Sequence, residues 1–154
     1  MIITFCGHSN YLSCLEDEER LLKLFETVAC GNQVDFYLGG YGGFDSFALK
    51  CATQYKQCHK NAKLVFITPY LDKWLDERKD TLKRYYDEIV YPGIERVPQK
   101  FAIIKRNEWM VKQADHLFAY VKTHYGGIYR TLLYAHNFCA SKIIVHSKSV
   151  YGFS

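Results

Sequence analysis

The sequence predicts an α/β domain: a mostly parallel sheet of about six strands with helices on both faces, a three-layer sandwich. Three observations carry this. Short β-rich runs alternate with amphipathic segments along the chain, as stacked strand–helix–strand units require. Two of those runs, Leu64-Val65-Phe66-Ile67 and Ile143-Ile144-Val145, are continuously apolar rather than alternating, as expected where both sheet faces are covered. Glycine follows three of the strand ends.

The first strand is Ile2 to Cys6. With no basic segment before it, Met1-Ile2-Ile3-Thr4-Phe5 reads as a strand and not as a targeting peptide. A helix within Glu16 to Cys30 carries Leu21, Leu22, Phe25, Val28 and Ala29 on one stripe, with Gly31 as its stop. The second strand is Val34 to Leu38. The next helix opens at about Gly43 and places Phe44, Ala48, Cys51, Ala52 and Tyr55 at helical spacing. The third strand, Leu64 to Thr68, ends at Pro69. Residues 70–87 are densely charged and predict only a short helix near Thr81 to Tyr86. The fourth strand, Glu88 to Tyr91, stops at Pro92-Gly93. A helix from about Gln99 to Ala114 precedes the fifth strand, His116 to Val121. The last helix begins near Gly127 with Ile128, Leu132, Ala135 and Cys139 on one face, and the sixth strand is Lys142 to His146. Residues 1–147 thus read as one domain and 148–154 as a C-terminal tail.

Bulk properties narrow the function. A chain of 154 residues, 49% apolar and 23% charged, can bury a core without staples. Its net charge of +4 is small and its charges alternate in sign, as in Asp76-Glu77-Arg78-Lys79-Asp80, which argues against a nucleic-acid partner. No apolar run approaches the roughly 20 residues of a membrane span. The six cysteines form no CxxC pair and read as reduced thiols of a cytoplasmic protein. The histidines lack metal-ligand spacing, and neither HExxH nor GxSxG occurs, so no metal, cofactor or nucleophile elbow is expected. The aromatic content permits pairing of two copies through helices, with Tyr85, Tyr86, Tyr151 and Phe153 as candidate contacts.

The candidate site follows from the glycines. Cys6-Gly7-His8-Ser9, Leu38-Gly39-Gly40-Tyr41-Gly42-Gly43 and Tyr125-Gly126-Gly127 all fall after strands, and in an open parallel sheet the carboxyl ends of the strands converge on one edge where ligands bind. Glycine there either satisfies a tight turn or lets backbone N–H groups approach a ligand, with a helix N-terminus behind to favour an anion. Four glycines in the second run exceed what a turn needs. The run is not GxGxxG and lacks the ending of a P-loop, so neither a dehydrogenase nor a P-loop NTPase is supported. Asp45, in the first turn of a helix, either complements the helix dipole or accepts a hydroxyl such as that of a ribose. His8 either donates to a ligand oxygen or is a loop histidine. In the helix from Gln99, Asn107 sits amid an apolar face of Ile103, Met110, Val111 and Ala114, flanked by Arg106 and Glu108. That arrangement is either a satisfied buried amide between two exposed charges or a group aimed at the crevice, with Arg106 on a phosphate.

These strings, read together with Phe44-Asp45, Lys105-Arg106-Asn107-Glu108-Trp109-Met110, Ala119-Tyr120-Val121 and Thr131-Leu132-Leu133-Tyr134-Ala135, resemble the SLOG superfamily, and within it the small YpsA-like proteins of bacteria and their viruses. The likeness runs from Ile2 to about His146. It implies a Rossmann-like fold and binding of a nucleotide, nucleotide sugar or NAD-derived molecule at the strand ends, with Phe44 and Thr131 added to the site residues above. The superfamily includes LOG-type enzymes, which release cytokinins from their ribose phosphates, DprA-type DNA-binding proteins and ligand-sensing domains. The chain departs from the LOG motif Gly-Gly-x-Gly-Thr-x-x-Glu. It has Gly126-Gly127-Ile128-Tyr129-Arg130-Thr131-Leu132-Leu133, so Leu133 replaces the glutamate needed for hydrolysis. Cleavage of an N-glycosidic bond would then fall to Glu108 or Asp45. The expected function is therefore binding of a nucleotide-derived ligand as a sensor, carrier or sponge. N-riboside hydrolysis or transfer, and nucleic-acid binding, are the alternatives.

Overall fold

The computed structural model describes residues 1–139 and 143–145. Its elements in chain order are β1 (Ile2–Gly7), α1 (Leu15–Ala29), β2 (Asp35–Leu38), α2 (Gly43–Cys58), β3 (Lys63–Ile67), α3 (Lys73–Tyr85) and β4 (Glu88–Val90). A 3-10 turn (Gln99–Phe101) then leads into α4 (Ala102–Gln113), β5 (His116–Tyr120), α5 (Gly126–Cys139) and β6 (Ile143–Val145). The six strands form one sheet in the order β4-β3-β2-β1-β5-β6, and every pairing is parallel. The register sets Leu38 beside Phe66 and Phe5 beside Phe118.

Side-chain alternation splits the core into two. Ile3, Phe5, Phe36, Leu38, Leu64, Phe66, Phe118 and Tyr120 face one side, where they meet Leu21 and Phe25 of α1, Phe44, Phe47 and Tyr55 of α2, and Trp74 and Leu82 of α3. Cys6, Val65, Ile67, Leu117, Ala119 and Val121 face the other side, where Met110 and Val111 of α4 and Leu132 and Ala135 of α5 cover them. The handedness of parallel crossovers explains the split. β1 to β4 are laid down in one direction, so α1–α3 share a face. The chain then turns back to β5, which sends α4 and α5 to the other. At the centre of the first core Phe25 packs on Phe36 and Phe118, with ring centroids 4.9 and 5.5 Å apart.

The largest departure from the sequence pattern is α3, which covers 13 residues instead of a short helix near Thr81 to Tyr86. Asp72 caps it by accepting the Trp74 N–H at 3.0 Å. Leu75 is its one buried residue because the helix lies over a three-residue edge strand with little apolar surface to cover. Charge at most of its other positions hides the apolar period. Tyr86 is buried against Phe66 and is therefore not a pairing contact, whereas Tyr85 is exposed. Tyr151, Phe153 and the proposed 148–154 tail lie outside the described residues. Among the described residues no helix is long and apolar enough to cross a membrane. The five described cysteines are free thiols, and among the described residues no group of three or more His, Cys, Asp or Glu could hold a metal ion.

Gly7 shows how tightly α2 is drawn onto β1. A Cβ there would lie 2.2 Å from the Phe44 ring, whose side chain is fully buried. Gly7→Ala should therefore cost about 1–3 kcal/mol through overpacking. Urea denaturation should show a lower midpoint with an unchanged slope, and an unshifted midpoint would mean that Phe44 has room to move.

Candidate functional site

The strand order reverses between β1 and β5, and a crevice opens there at the carboxyl edge of the sheet. A cavity of about 240 Å³ occupies it. Gly7, His8 and Ser9 from the β1 end, Tyr41 and Asp45 from the β2–α2 junction, Arg106 and Asn107 from α4, and Gly127 from the start of α5 all line it. Apolar walls come from Phe5, Cys6, Ile103, Ile104, Met110 and Ile128. A second cavity, about 330 Å³, adjoins it and is lined by Gly39, Gly40, Pro69, Tyr70, Trp74 and Gln99. The two share Tyr41, Ile103 and Arg106.

The remaining expected positions lie outside both cavities. Phe44 is in the core, and Gly42 and Gly43 shape the turn beneath the loop. Glu108 pairs with Lys105 at 2.9 Å on the outer side of α4. The Thr131 hydroxyl is buried and donates to the Gly127 carbonyl at 3.0 Å. Gly126 precedes Gly127 with a φ of +88° and sets the entry of α5. Leu133, at the position of the LOG glutamate, is exposed.

Arg106 is the organising residue and is only 2% exposed. Its Nη1 donates to the Gly39 carbonyl at 3.0 Å and to the Ile67 carbonyl at 2.8 Å, tying α4 to the ends of β2 and β3. Its Nε donates to Asn107 Oδ1 at 2.9 Å. Asn107 thus has a partner for its oxygen and borders the cavity, and Arg106 is not the exposed charge that the helix pattern allows. Nη2 has no hydrogen-bond partner among the described residues, so one edge of the fork remains for a ligand.

The glycine run is explained largely by packing. Gly42 has a φ of +88°, and a Cβ on Gly43 would lie 2.3 Å from the Tyr11 carbonyl oxygen. The loop after β1 leans directly on this turn. The Gly43 N–H donates to the Ser9 carbonyl at 2.7 Å and the Phe44 N–H to the His8 carbonyl at 3.3 Å. Two of the first amides of α2 are therefore occupied, and that helix N-terminus is largely closed to an anion. The start of α5 differs: the N–H groups of Gly126, Gly127 and Ile128 have no acceptor among the described residues, and Gly127 and Ile128 border the cavity.

Three titrating groups set the electrostatics. Asp45 accepts the Tyr41 N–H on Oδ2 at 2.8 Å, which holds the loop across the helix start. Burial raises its pKa to about 6, against the lowering pull of that N–H and of Arg106. His8 accepts the Lys122 N–H on Nε2 at 2.7 Å, so its proton sits on Nδ1 as the remaining donor. Burial, with Lys122 nearby, lowers its pKa and keeps the ring neutral. Burial and the Asp45 charge push the Cys6 thiol far up, so the cavity's cysteine is an inert wall. The sequence pattern missed the apolar floor and the aromatic pair Tyr70 and Trp74. The same strand-end rule that selected the glycine turns points to them, because they follow β3.

Fold and crevice together define a Rossmann-like α/β protein with a cavity at the strand ends. Solved structures share that fold. The chain is similar to DNA processing protein A from Helicobacter pylori, whose structure was described for its single-stranded DNA binding mode, with a TM-score of 0.62 and 14% identity. That match covers 94% of this chain but 64% of the other, so the chain spans less than two thirds of that protein's length. It is also similar to TM1055, a structural-genomics target (TM-score 0.50, 15% identity, 88% of this chain and 68% of that one). A third similar structure is the molybdenum cofactor carrier protein of Chlamydomonas reinhardtii (TM-score 0.44, 11% identity, 94% and 87%). No family model matches the chain, and no curated protein does. The Rossmann-like fold implied by the SLOG resemblance is thus the fold found.

Two substitutions test the clamp and the carboxylate. Arg106→Met leaves two buried carbonyls without a donor, each worth about 1–3 kcal/mol. Chemical denaturation should register their sum, and Arg106→Lys should recover less than half of it because an ammonium cannot reproduce the fork. For Asp45, the folded pKa of about 6 lies above the ordinary value of a free aspartate, 3.8. The folded state holds the proton over that window while the unfolded chain has lost it, so stability falls as pH rises from about 4 to about 6. The shift corresponds to roughly 2–3 kcal/mol. The stability difference between wild type and Asp45→Asn should trace this slope, and a difference that stays flat with pH would contradict the assignment.

Proposed function

We propose that the protein binds a nucleotide-derived small molecule in the crevice at the carboxyl edge of its sheet, acting as a sensor, carrier or sponge for it. The observation that carries this reading is the makeup of the cavity at the strand-order reversal. An apolar floor for a ring or sugar face lies beside a hydroxyl-accepting carboxylate, Asp45, and a free edge of a buried guanidinium, Arg106. The unoccupied amides at the start of α5 suit a phosphate. Pockets of this type, mostly apolar with a few convergent polar groups, are the usual form of small-molecule sites. The SLOG resemblance of the sequence supports the same ligand class. Of the groups offered to the ligand, Gly7, His8, Ser9, Tyr41, Asp45, Arg106, Asn107 and Gly127 border the cavity.

A second reading, N-riboside hydrolysis, is favoured by one observation. A carboxyl titrating near 6 in a half-enclosed cavity is matched to general acid–base work around neutral pH. In this reading Asp45 acts and Glu108, turned away and paired with Lys105, does not. Nucleic-acid binding by analogy with DNA processing protein A has less support, since Arg106 is the one Lys or Arg bordering either cavity and is itself buried.

Thermal-shift measurements with AMP, ADP-ribose, NAD and nucleotide sugars test the binding reading. A ligand at about 100 times its Kd stabilises the native state by about 2.7 kcal/mol, a rise in Tm of roughly 5–10 °C. Gly127→Leu places a side chain in the cavity where a Cβ would meet only Ile104 at 3.8 Å, and should abolish the shift without unfolding the protein. No shift with any compound would defeat the proposal. Chromatography after long incubation separates the two readings: products that vanish in Asp45→Asn favour hydrolysis, and intact ligand favours binding alone.

A further inference from the structure

We infer that the rim around the mouth of the crevice is an interface between two copies of this chain, docked rim to rim about a two-fold axis with their crevices facing each other. That pairing uses the outer surface of the mouth and does not depend on which ligand the crevice takes.

Eight large apolar side chains are exposed among the described residues, and six of them gather at the carboxyl edge of the sheet. Leu12 and Leu15 stand where the chain leaves β1 for α1, Tyr41 on the loop after β2, Leu71 on the connection after β3, Phe101 just before α4 and Tyr125 just before α5. Leu12 is 88% and Tyr125 76% exposed. Of the other two, Tyr85 ends α3 at the opposite edge and Leu133 lies within α5. The exposure of Leu12 is not that of a loose loop, because its neighbour Tyr11 is buried among Phe44, Phe47 and Tyr120. Single exposed leucines are ordinary on a protein surface. Apolar side chains sent to one edge by five separate connections mark a surface that is covered.

Charge identifies what covers it. Glu16 and Glu19 are exposed at the start of α1, beside Leu12 and Leu15, whereas Lys122 and Arg130 are exposed on either side of Tyr125 at the start of α5. None of the four has an ion-pair partner among the described residues. Cations near a helix N-terminus oppose its dipole, and α5 has no acidic residue in its first turn, so local helix electrostatics do not account for Lys122 and Arg130. The crevice lies between the two patches: Ser9 of the first connection and Gly127 of the second both line it, and the Lys122 N–H donates to His8 across their junction. A two-fold axis through the mouth, perpendicular to the line joining the patches, sets the acidic patch of each copy on the basic patch of the other. An isologous contact of this kind makes both pairings at once, buries the apolar rim between them and closes at two copies.

Sedimentation equilibrium on the full chain tests this, and the wild-type protein should dimerise. Leu12→Asp and Tyr125→Asp should each raise the dimer Kd at least tenfold. Reversal of either patch, by Glu16→Lys with Glu19→Lys or by Lys122→Glu with Arg130→Glu, should do the same. Tyr85→Asp, at the opposite edge, should leave the Kd unchanged. The decisive sample is a mixture of the two charge-reversed proteins, each monomeric alone, because a heterodimer restores both pairings and should sediment at twice the monomer mass. If a charge-reversed protein fails to fold, Leu12→Asp and Tyr125→Asp decide. The interface is overturned by a wild type that stays monomeric at every concentration, or by a dimer that Tyr85→Asp weakens and the rim substitutions do not. Association that continues beyond two copies, or a mixture of folded reversed proteins that stays monomeric, overturns it equally.

Discussion

One buried guanidinium holds the site together. Arg106 reaches from α4 under the sheet edge to the last carbonyls of β2 and β3, where a parallel sheet leaves acceptors with no strand partner. Burying that charge is costly, and its compensation is spread over two carbonyls, the Asn107 amide and the Asp45 carboxylate. Because Gly39 and Ile67 belong to different segments, the clamp fixes the relative positions of α4, the glycine loop and the β3 end. Of these, α4 and the glycine loop border both cavities, and the β3 end borders the one beside α3.

The packing of the loops then decides which helix start opens onto the crevice. The residues after β1 supply carbonyls to the first amides of α2, and Tyr11 seals the contact among Phe44, Phe47 and Tyr120. What looks like an anion cradle in the glycine run is therefore mostly a joint between two loops. Among the described residues the start of α5 has no such neighbour, and its first amides have no acceptor. The charge pattern of the crevice is accordingly asymmetric, with a buried carboxylate, Asp45, against α2 and, across the crevice at α5, amides that have no acceptor among the described residues.

The fold was legible in the sequence because its local signals agree. Continuous apolar strands, helical stripes and glycine stops each select the same order of elements, and the observed strands lie within about one residue of the expected ones. The exception, α3, lies over a sheet edge where burial needs few apolar residues, so periodicity has little to act on. The site was half legible. Gly7, His8, Ser9, Tyr41, Asp45 and Gly127 border the crevice because strand ends determine position. Glu108 and Thr131 do not, because motif spacing fixes a residue's place along a helix but not the face that packing leaves open. Arg106 was found for its charge, but its role in holding carbonyls depends on contacts 39 and 67 residues away, which no local pattern encodes. Tyr70 and Trp74 were hidden in a charged stretch that reads as surface.

The central claim is that ligand recognition is confined to the crevice that Arg106 organises. Backbone amide chemical shifts recorded during titration with ADP-ribose test it most directly. The account predicts perturbations concentrated at residues 7–9, 39–45, 103–107 and 126–128. Saturable binding with shifts confined to the opposite edge, around 31–34 and 59–62, would contradict it.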